Sequence, residues 1–268
     1  MTGRPPGVVR LATFNVLHGQ APEDGKVSTE RLVDACVSLD ADVLCLQEVD
    51  RGQARSGMVD QTAAIAAGMD AVAWRFVPAL VGEPGAEWRP ATDDDMVEGE
   101  AGYGVAMVSR LRVGAWHVVR LAPAKLRSPV YVPGGGLILL DDEPRVGLAA
   151  QVELPGGRPV LVASTHLSFV PGWNLTQLRR LTRALADLAD DHADGTCVLL
   201  GDLNVPNLFV RPPAGWRSLV KAATFPAPKP SMQIDHVLGR GDLPRVVDGQ
   251  AHLLPLSDHR AVTVDLAR

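Results

Sequence analysis

The chain is predicted to be an α/β sandwich, with two β-sheets packed face to face and helices outside. Three observations predict it. About ten short apolar runs of strand length recur along the 268 residues, more than one ordinary open sheet comfortably holds. Only two or three segments carry a convincing helical pattern. No repeat, low-complexity tract or long linker divides the chain, so one large domain spanning 1–268 with a substantial core is expected.

Strands are expected near 8–14, 42–47, 72–77, 104–109, 114–121, 146–153, 159–165, 196–201, 233–238 and 260–266, most of them runs rich in Val, Leu and Ala. A helix is read over 28–39, with Ser28 as N-cap and Leu32, Val33, Cys36 and Val37 on one face. A shorter helix is read at 59–68. A longer one runs over 173–190, where Leu175, Leu178, Leu181, Leu185 and Leu188 recur at helical spacing.

Three stretches break this alternation and are read as long loops around the mouth of a site. They are 78–103, with Asp93, Asp94 and Asp95; 122–145, with Pro133-Gly134-Gly135-Gly136; and the proline-rich 205–232. Trp173 and Trp216 fall at rim positions on this reading, with packing favoured over contact with a substrate.

Hydrophobic residues make up 46% and charged residues 21% of the chain, which is ordinary globular usage. The formal net charge of −5 gives no general attraction to nucleic acid, which usually depends on a basic face. Arg179, Arg180 and Arg183 form a local cluster that reads first as a solvated helix face. Cys36, Cys45 and Cys197 lie in apolar patterns without Cys-x-x-Cys spacing, so neither zinc nor a disulfide framework is expected. No apolar signal region follows Met1 and no run approaches membrane-spanning length, so a cytoplasmic protein with no membrane span is expected.

Polar groups suited to phosphate-ester chemistry collect at the ends of the strand-like runs. Leu11-Ala12-Thr13-Phe14-Asn15, Leu44-Cys45-Leu46-Gln47-Glu48 and Ala163-Ser164-Thr165-His166 each end on one. Gly201-Asp202-Leu203-Asn204 follows an apolar run, Gln233-Ile234-Asp235 enters one, and Leu256-Ser257-Asp258-His259 precedes another. A rigid sheet could hold such groups in fixed geometry. Taken singly, each has a plain structural alternative: Asn15 a loop cap, Glu48 a solvated strand end, His166 a satisfied interior histidine, Gly201-Asp202-Leu203-Asn204 an ordinary turn. His18, His117, His192, His236 and His252 are read as structural or surface, with His236 on the strand face opposite Asp235.

Together, in this order, the motifs resemble those of the endonuclease/exonuclease/phosphatase superfamily, and the resemblance runs from Thr13-Phe14-Asn15 to Ser257-Asp258-His259. It implies a four-layer α/β/β/α sandwich with two packed mixed β-sheets, and hydrolysis of a phosphate ester with a divalent metal. Magnesium is the usual ion and manganese a possible substitute. Asn15, Glu48 and Asp258 look like the metal-side residues. Asp202 and Asn204 look like the pair that positions the attacking water and the phosphate. His259 resembles the terminal histidine that works at the phosphate, Asp235 the carboxylate that orients it, and His166 the second histidine of the deoxyribonuclease and sphingomyelinase branches. Some relatives pair that second histidine with a carboxylate, for which Glu98 and Glu100 are candidates here. Val105, in Gly104-Val105-Ala106-Met107-Val108-Ser109-Arg110, stands where the family usually has Asn.

The resulting expectation is a divalent-metal-dependent phosphodiesterase acting by in-line attack of an activated water, on a small molecule, lipid head group or nucleic acid. A DNA or RNA nuclease is the first alternative. A binding domain that keeps the fold without catalysis is the contrasting class. No obligate protein partner is evident.

Overall fold

Most strands of this chain are buried on both faces, which is why they read as continuous apolar runs rather than alternating ones. The computed structural model describes residues 7–96, 100–125, 127–132, 136–156, 159–210 and 212–267. The first half runs β1 (Val8–Asn15), α1 (Thr29–Ser38), β2 (Val43–Arg51), α2 (Gln61–Gly68), β3 (Ala73–Gly82), β4 (Trp88–Pro90), β5 (Gly102–Ser109) and β6 (Val113–Leu121). A hairpin follows, β7 (Ser128–Val132) and β8 (Gly136–Leu140). Then come β9 (Arg145–Glu153), β10 (Pro159–His166), α3 (Trp173–His192), β11 (Cys197–Asp202), β12 (Trp216–Ser218), β13 (Asp235–Arg240), β14 (Arg245–His252) and β15 (Ala261–Ala267).

These strands form a seven-stranded sheet in the order β14-β15-β1-β2-β5-β3-β4 and a six-stranded sheet in the order β12-β13-β11-β10-β9-β6, with β7 and β8 pairing apart. Both large sheets are mixed: β1 is parallel to β2 and β10 to β11, while their other neighbours run antiparallel. The layers can be read from alternate residues. Val43 and Cys45 of β2 meet Val198 and Leu200 of β11 in the core between the sheets. Leu44 and Leu46 point the other way, onto Leu32 and Cys36 of α1 and Ile65 of α2. Cys197 and Leu199 pack against Leu178, Leu181 and Leu185 of α3. The result is the expected α/β/β/α sandwich, and Cys36, Cys45 and Cys197 are free, buried members of it.

The helices begin where side-chain caps allow. Ser28 accepts from the Arg31 N–H and Asp60 from the Ala63 N–H, each satisfying one of the amides that a first turn leaves open. Behind the site, polar side chains cross the inter-sheet core. The Thr13 hydroxyl donates to Gln47 Oε1 at 3.1 Å, and Gln47 Nε2 donates to the Ser164 hydroxyl at 3.2 Å, all three fully buried.

The three stretches expected as loops hold more structure than their sequences signal. Residues 78–103 contain the end of β3, all of β4 and the start of β5; 122–145 contains β7 and β8; 205–232 contains β12. Glycine and proline punctuation hides such short pairings. Edge strand β14 was also not expected, since most of its residues are exposed and it has no apolar period. Trp216 is not a rim residue: it opens β12 and is buried against the α3 layer. Trp173 is the first residue of α3, donating Nε1–H to the Ala122 carbonyl with Arg180 over its ring.

Candidate active site

Asn15, His166 and Asp202 are the last residues of β1, β10 and β11, and Asp235 is the first residue of β13, directly opposite Asp202 in register. Parallel pairing of β1 with β2 and of β10 with β11 brings Asn15 level with Gln47 and His166 level with Asp202. Glu48 joins them through a bulge. The β2–β5 register shifts between Gln47 and Val49, and Glu48 there has φ +57°. One extra residue in the strand re-aims its side chain.

Asp202 is the hub of the site. The Asn15 side-chain amide donates to Glu48 Oε1 at 2.9 Å and to Asp202 Oδ2 at 3.0 Å, bridging the two sheets. The same Oδ2 lies 3.6 Å from His166 Nε2 and 3.7 Å from His259 Nε2. The Asn204 backbone N–H donates to Asp202 Oδ1 at 2.8 Å, and Asn204 Nδ2 lies 3.1 Å from His166 Nε2. His259 Nδ1 meets Asp235 Oδ2 at 2.9 Å. Asp258 sits on the outer side, its Oδ1 4.0 Å from His259 Nε2 and its side chain partly exposed.

Local devices hold this geometry. Gly201 has no alternative, since a Cβ there would run into the Thr165 carbonyl oxygen of β10. Ser257, at φ +67°, donates its hydroxyl to the Asn15 carbonyl at 2.6 Å and accepts from the His259 N–H. Thr224 Oγ1 accepts from the Asp235 N–H, and the Phe225 ring lies 5.0 Å from that of His259.

Burial and neighbouring charge split the titrations. Burial pushes the Asp202 carboxyl up to about 7, His259 opposing and Asp235 adding to the rise. Burial also raises Glu48, partly offset by the Asn15 hydrogen bond. For His259, burial acts downward, but the Asp235 and Asp202 carboxylates prevail and raise it to about 10. Burial lowers His166 well below the usual imidazole range, and the nearby positive charge of Arg145 deepens the effect. His166 is therefore neutral at pH 7 and His259 is a cation.

The site opens into a cleft of about 760 Å³. All three long connections reach it: Trp88 from the first, Leu139, Asp141, Glu143 and Arg145 from the second, Phe225 and Met232 from the third. Arg145, the first residue of β9, escaped notice in the sequence. Its NH1 lies 3.3 Å from His166 Nδ1, where some relatives are expected to have a carboxylate. Glu100 is exposed and paired with Arg89, and Glu98 lies outside the described residues. Arg145 carries the signal that marked the other residues, a polar group where an apolar strand begins. Val105 is buried in the inter-sheet core. His236 turns away from the site to the Val205 carbonyl at 2.9 Å, and His117 stacks on His192.

The donor set fits a hard divalent cation. Half-buried Glu48 and buried Asp202 are carboxylates held close to one amide, and burial raises the pKa of both, a cost that a bound cation would relieve. Asp202, Asp235 and His259 also bring ligand atoms within 4.8 Å of one another, the one such cluster among the described residues. Asp235 and His259 Nδ1 already satisfy each other, however, whereas Glu48 has only the Asn15 amide.

The endonuclease/exonuclease/phosphatase family profile matches residues 12–259, and the chain belongs to that family. Among solved structures it is similar to an endonuclease/exonuclease/phosphatase from Beutenbergia cavernae, at 24% identity and TM-score 0.64 over 97% of this chain and 71% of that one. A mannosyl-6-phosphatase of Bacteroides thetaiotaomicron aligns at 15% identity and TM-score 0.66, over 97% and 100%. Truncated TDP2 of Caenorhabditis elegans aligns at 16% identity and TM-score 0.62, over 97% and 98%. At these identities the likeness establishes the fold. Among curated proteins no sequence match is found. Family membership and the candidate ligand cluster support metal-dependent hydrolysis of phosphate esters in general. Among the described residues no helix is long and apolar enough to cross a membrane.

Proposed function

We propose that this protein is a magnesium-dependent phosphodiesterase acting on a small or lipid-head-group diester by in-line attack of water. The observation that carries the reading is the convergence on Asp202 of the Asn15–Glu48 pair from one sheet and of His166 and the His259–Asp235 pair from the other. A cation held by Glu48 and Asp258, with Asn15 beside them, would neutralise charge on the phosphoryl and leaving oxygens; magnesium suits these ligands and manganese could replace it.

The chain's own groups supply the rest. Asp202, with its carboxyl near 7, is matched to accept the water proton at neutral pH. Asn204, fixed to Asp202 through its backbone and to the Leu167 carbonyl at 3.0 Å through its side chain, orients that water. His259, charged and braced by Asp235, donates Nε2–H to a phosphate oxygen and stabilises the charge that builds there.

Charge in the cleft favours a small substrate over a polynucleotide. Four carboxylates line it, Glu48, Asp141, Glu143 and Asp202, beside three cations, Arg127, Arg145 and the charged His259. A duplex backbone would find no broad basic face on such a surface. Apolar walls from Trp88, Leu139, Phe225 and Met232 suit an organic ester group instead. Nicking of supercoiled plasmid and turnover of small choline- or glycerol-type diesters, each with magnesium and with EDTA, separate the two. Small-diester turnover without nicking is expected; efficient nicking would move the assignment to a nuclease.

A further inference from the structure

We propose that Arg145 is a positioning residue that fixes His166 as a neutral imidazole with its proton on Nε2, making it a permanent hydrogen-bond donor to the substrate phosphate. The role assigned to that donor rests on the phosphodiesterase reading above; the tautomer itself does not. Two donors face one ring. Arg145 NH1 lies 3.3 Å from Nδ1, and Asn204 Nδ2 lies 3.1 Å from Nε2. A neutral imidazole accepts at one nitrogen only.

The guanidinium prevails in this competition. It is charged at every accessible pH and has donors only, so a proton on Nδ1 would place N–H against a buried cation. The bond from Arg145 to an acceptor Nδ1 is charge-assisted, whereas Asn204 offers a neutral amide. Asn204 also has a separate acceptor, the Leu167 carbonyl at 3.0 Å, and keeps it in either tautomer. His166 and Arg145 are both more than nine-tenths buried, so water does not relieve the conflict.

The surroundings leave Arg145 little other purpose. Its NH2 is 3.5 Å from Glu143 Oε2, and its buried Nε has no partner. An incompletely satisfied buried cation is costly to keep. Beside it, a small cavity is walled by Gly104 and Val105, and the Val105 side chain offers no polar atom that would compete for the imidazole. A carboxylate at Nδ1 would hold the proton there and leave Nε2 free to accept one. The arginine does the reverse, so His166 holds an oxygen and Asp202 is left as the group that accepts the water proton.

The test is long-range proton–nitrogen correlation of the histidine rings in the full-length 15N-labelled protein with magnesium present, His166 being assigned by His166→Gln. The expected spectrum shows Nδ1 unprotonated and Nε2 protonated. Arg145→Met should shift His166 toward the Nδ1–H form, as Asn204 becomes the stronger donor, and Arg145→Lys should restore the native pattern. With a chromogenic diester, Arg145→Met should lower kcat about tenfold to a hundredfold, as for a misplaced catalytic group, with a smaller change in KM and recovery in the lysine variant. A proton on Nδ1 in the wild type, or an unchanged tautomer in Arg145→Met, overturns the proposal. If Arg145→Met does not fold, the wild-type and lysine spectra still decide the matter. The expected tautomers without turnover of any phosphodiester would overturn the phosphodiesterase reading alone.

Discussion

Asp202 and His259 have opposite electrostatic problems, and each provides part of the other's solution. Asp202 lacks solvent, His259 is surrounded by carboxylates, and both bind protons more tightly in the folded state than in an open chain. The sign for stability follows. Asp202 is raised from 3.8 to about 7, so the folded state holds the extra proton between those values and its contribution falls as pH rises through them. His259 is raised from 6.5 to about 10, so its contribution is fully present below the lower value and is lost as pH rises through the upper one. In EDTA, Asp202→Asn should therefore gain thermal stability relative to wild type as pH rises from about 4 to 7. A constant difference across that range would contradict the assignment. For activity, His259→Ala and Asp202→Ala should each cost roughly a hundredfold to ten-thousandfold in kcat, the usual range for positioned proton-transfer and charge-stabilising groups, with far-UV circular dichroism unchanged.

At the scale of elements, strand ends do the positioning, and the least tolerant point is where β11 passes β10. Gly201→Ala forces a methyl group against the Thr165 carbonyl and should cost about 1–3 kcal/mol or more in urea unfolding. Gln47→Leu leaves the Thr13 and Ser164 hydroxyls without their shared partner between the sheets, a loss on the order of 1–3 kcal/mol by the same measurement. Ten strands and all three helices were legible because β2, β10, β11 and α3 bury long regular faces whose apolar pattern is written in the sequence. The pairings of β4, β7, β8 and β12 were not, because strands of three to five residues flanked by Gly and Pro carry no period. The bulge at Glu48 was also hidden: the motif Leu46-Gln47-Glu48 shows that a carboxylate ends an apolar run, but not that the backbone turns left-handed to aim it. That Asn15, Asp202, Asn204, Asp235 and His259 lie at or beside strand ends could be read from their motifs. Arg145 also opens an apolar run, but its pairing with His166 comes only through the fold.

For the whole molecule, two sheets each contribute half a site, and Asn15 joins the halves at Glu48 and Asp202. A cation held beside that joint by Glu48 and Asp258 would bind the folded chain and not the open one. Magnesium should raise the melting temperature in a concentration-dependent manner, by up to about 2.7 kcal/mol of stability at a hundred times its dissociation constant. Glu48→Gln should remove most of that gain, and an undiminished gain would place the ion elsewhere. The most direct test of the central claim is turnover of bis(p-nitrophenyl) phosphate beside p-nitrophenyl phosphate by wild type, Glu48→Gln and His259→Ala, with magnesium and with EDTA. Diester turnover that exceeds monoester turnover, needs the metal and collapses in both variants is the predicted result. Turnover that persists in EDTA or in His259→Ala, or the absence of turnover with any metal, would contradict it.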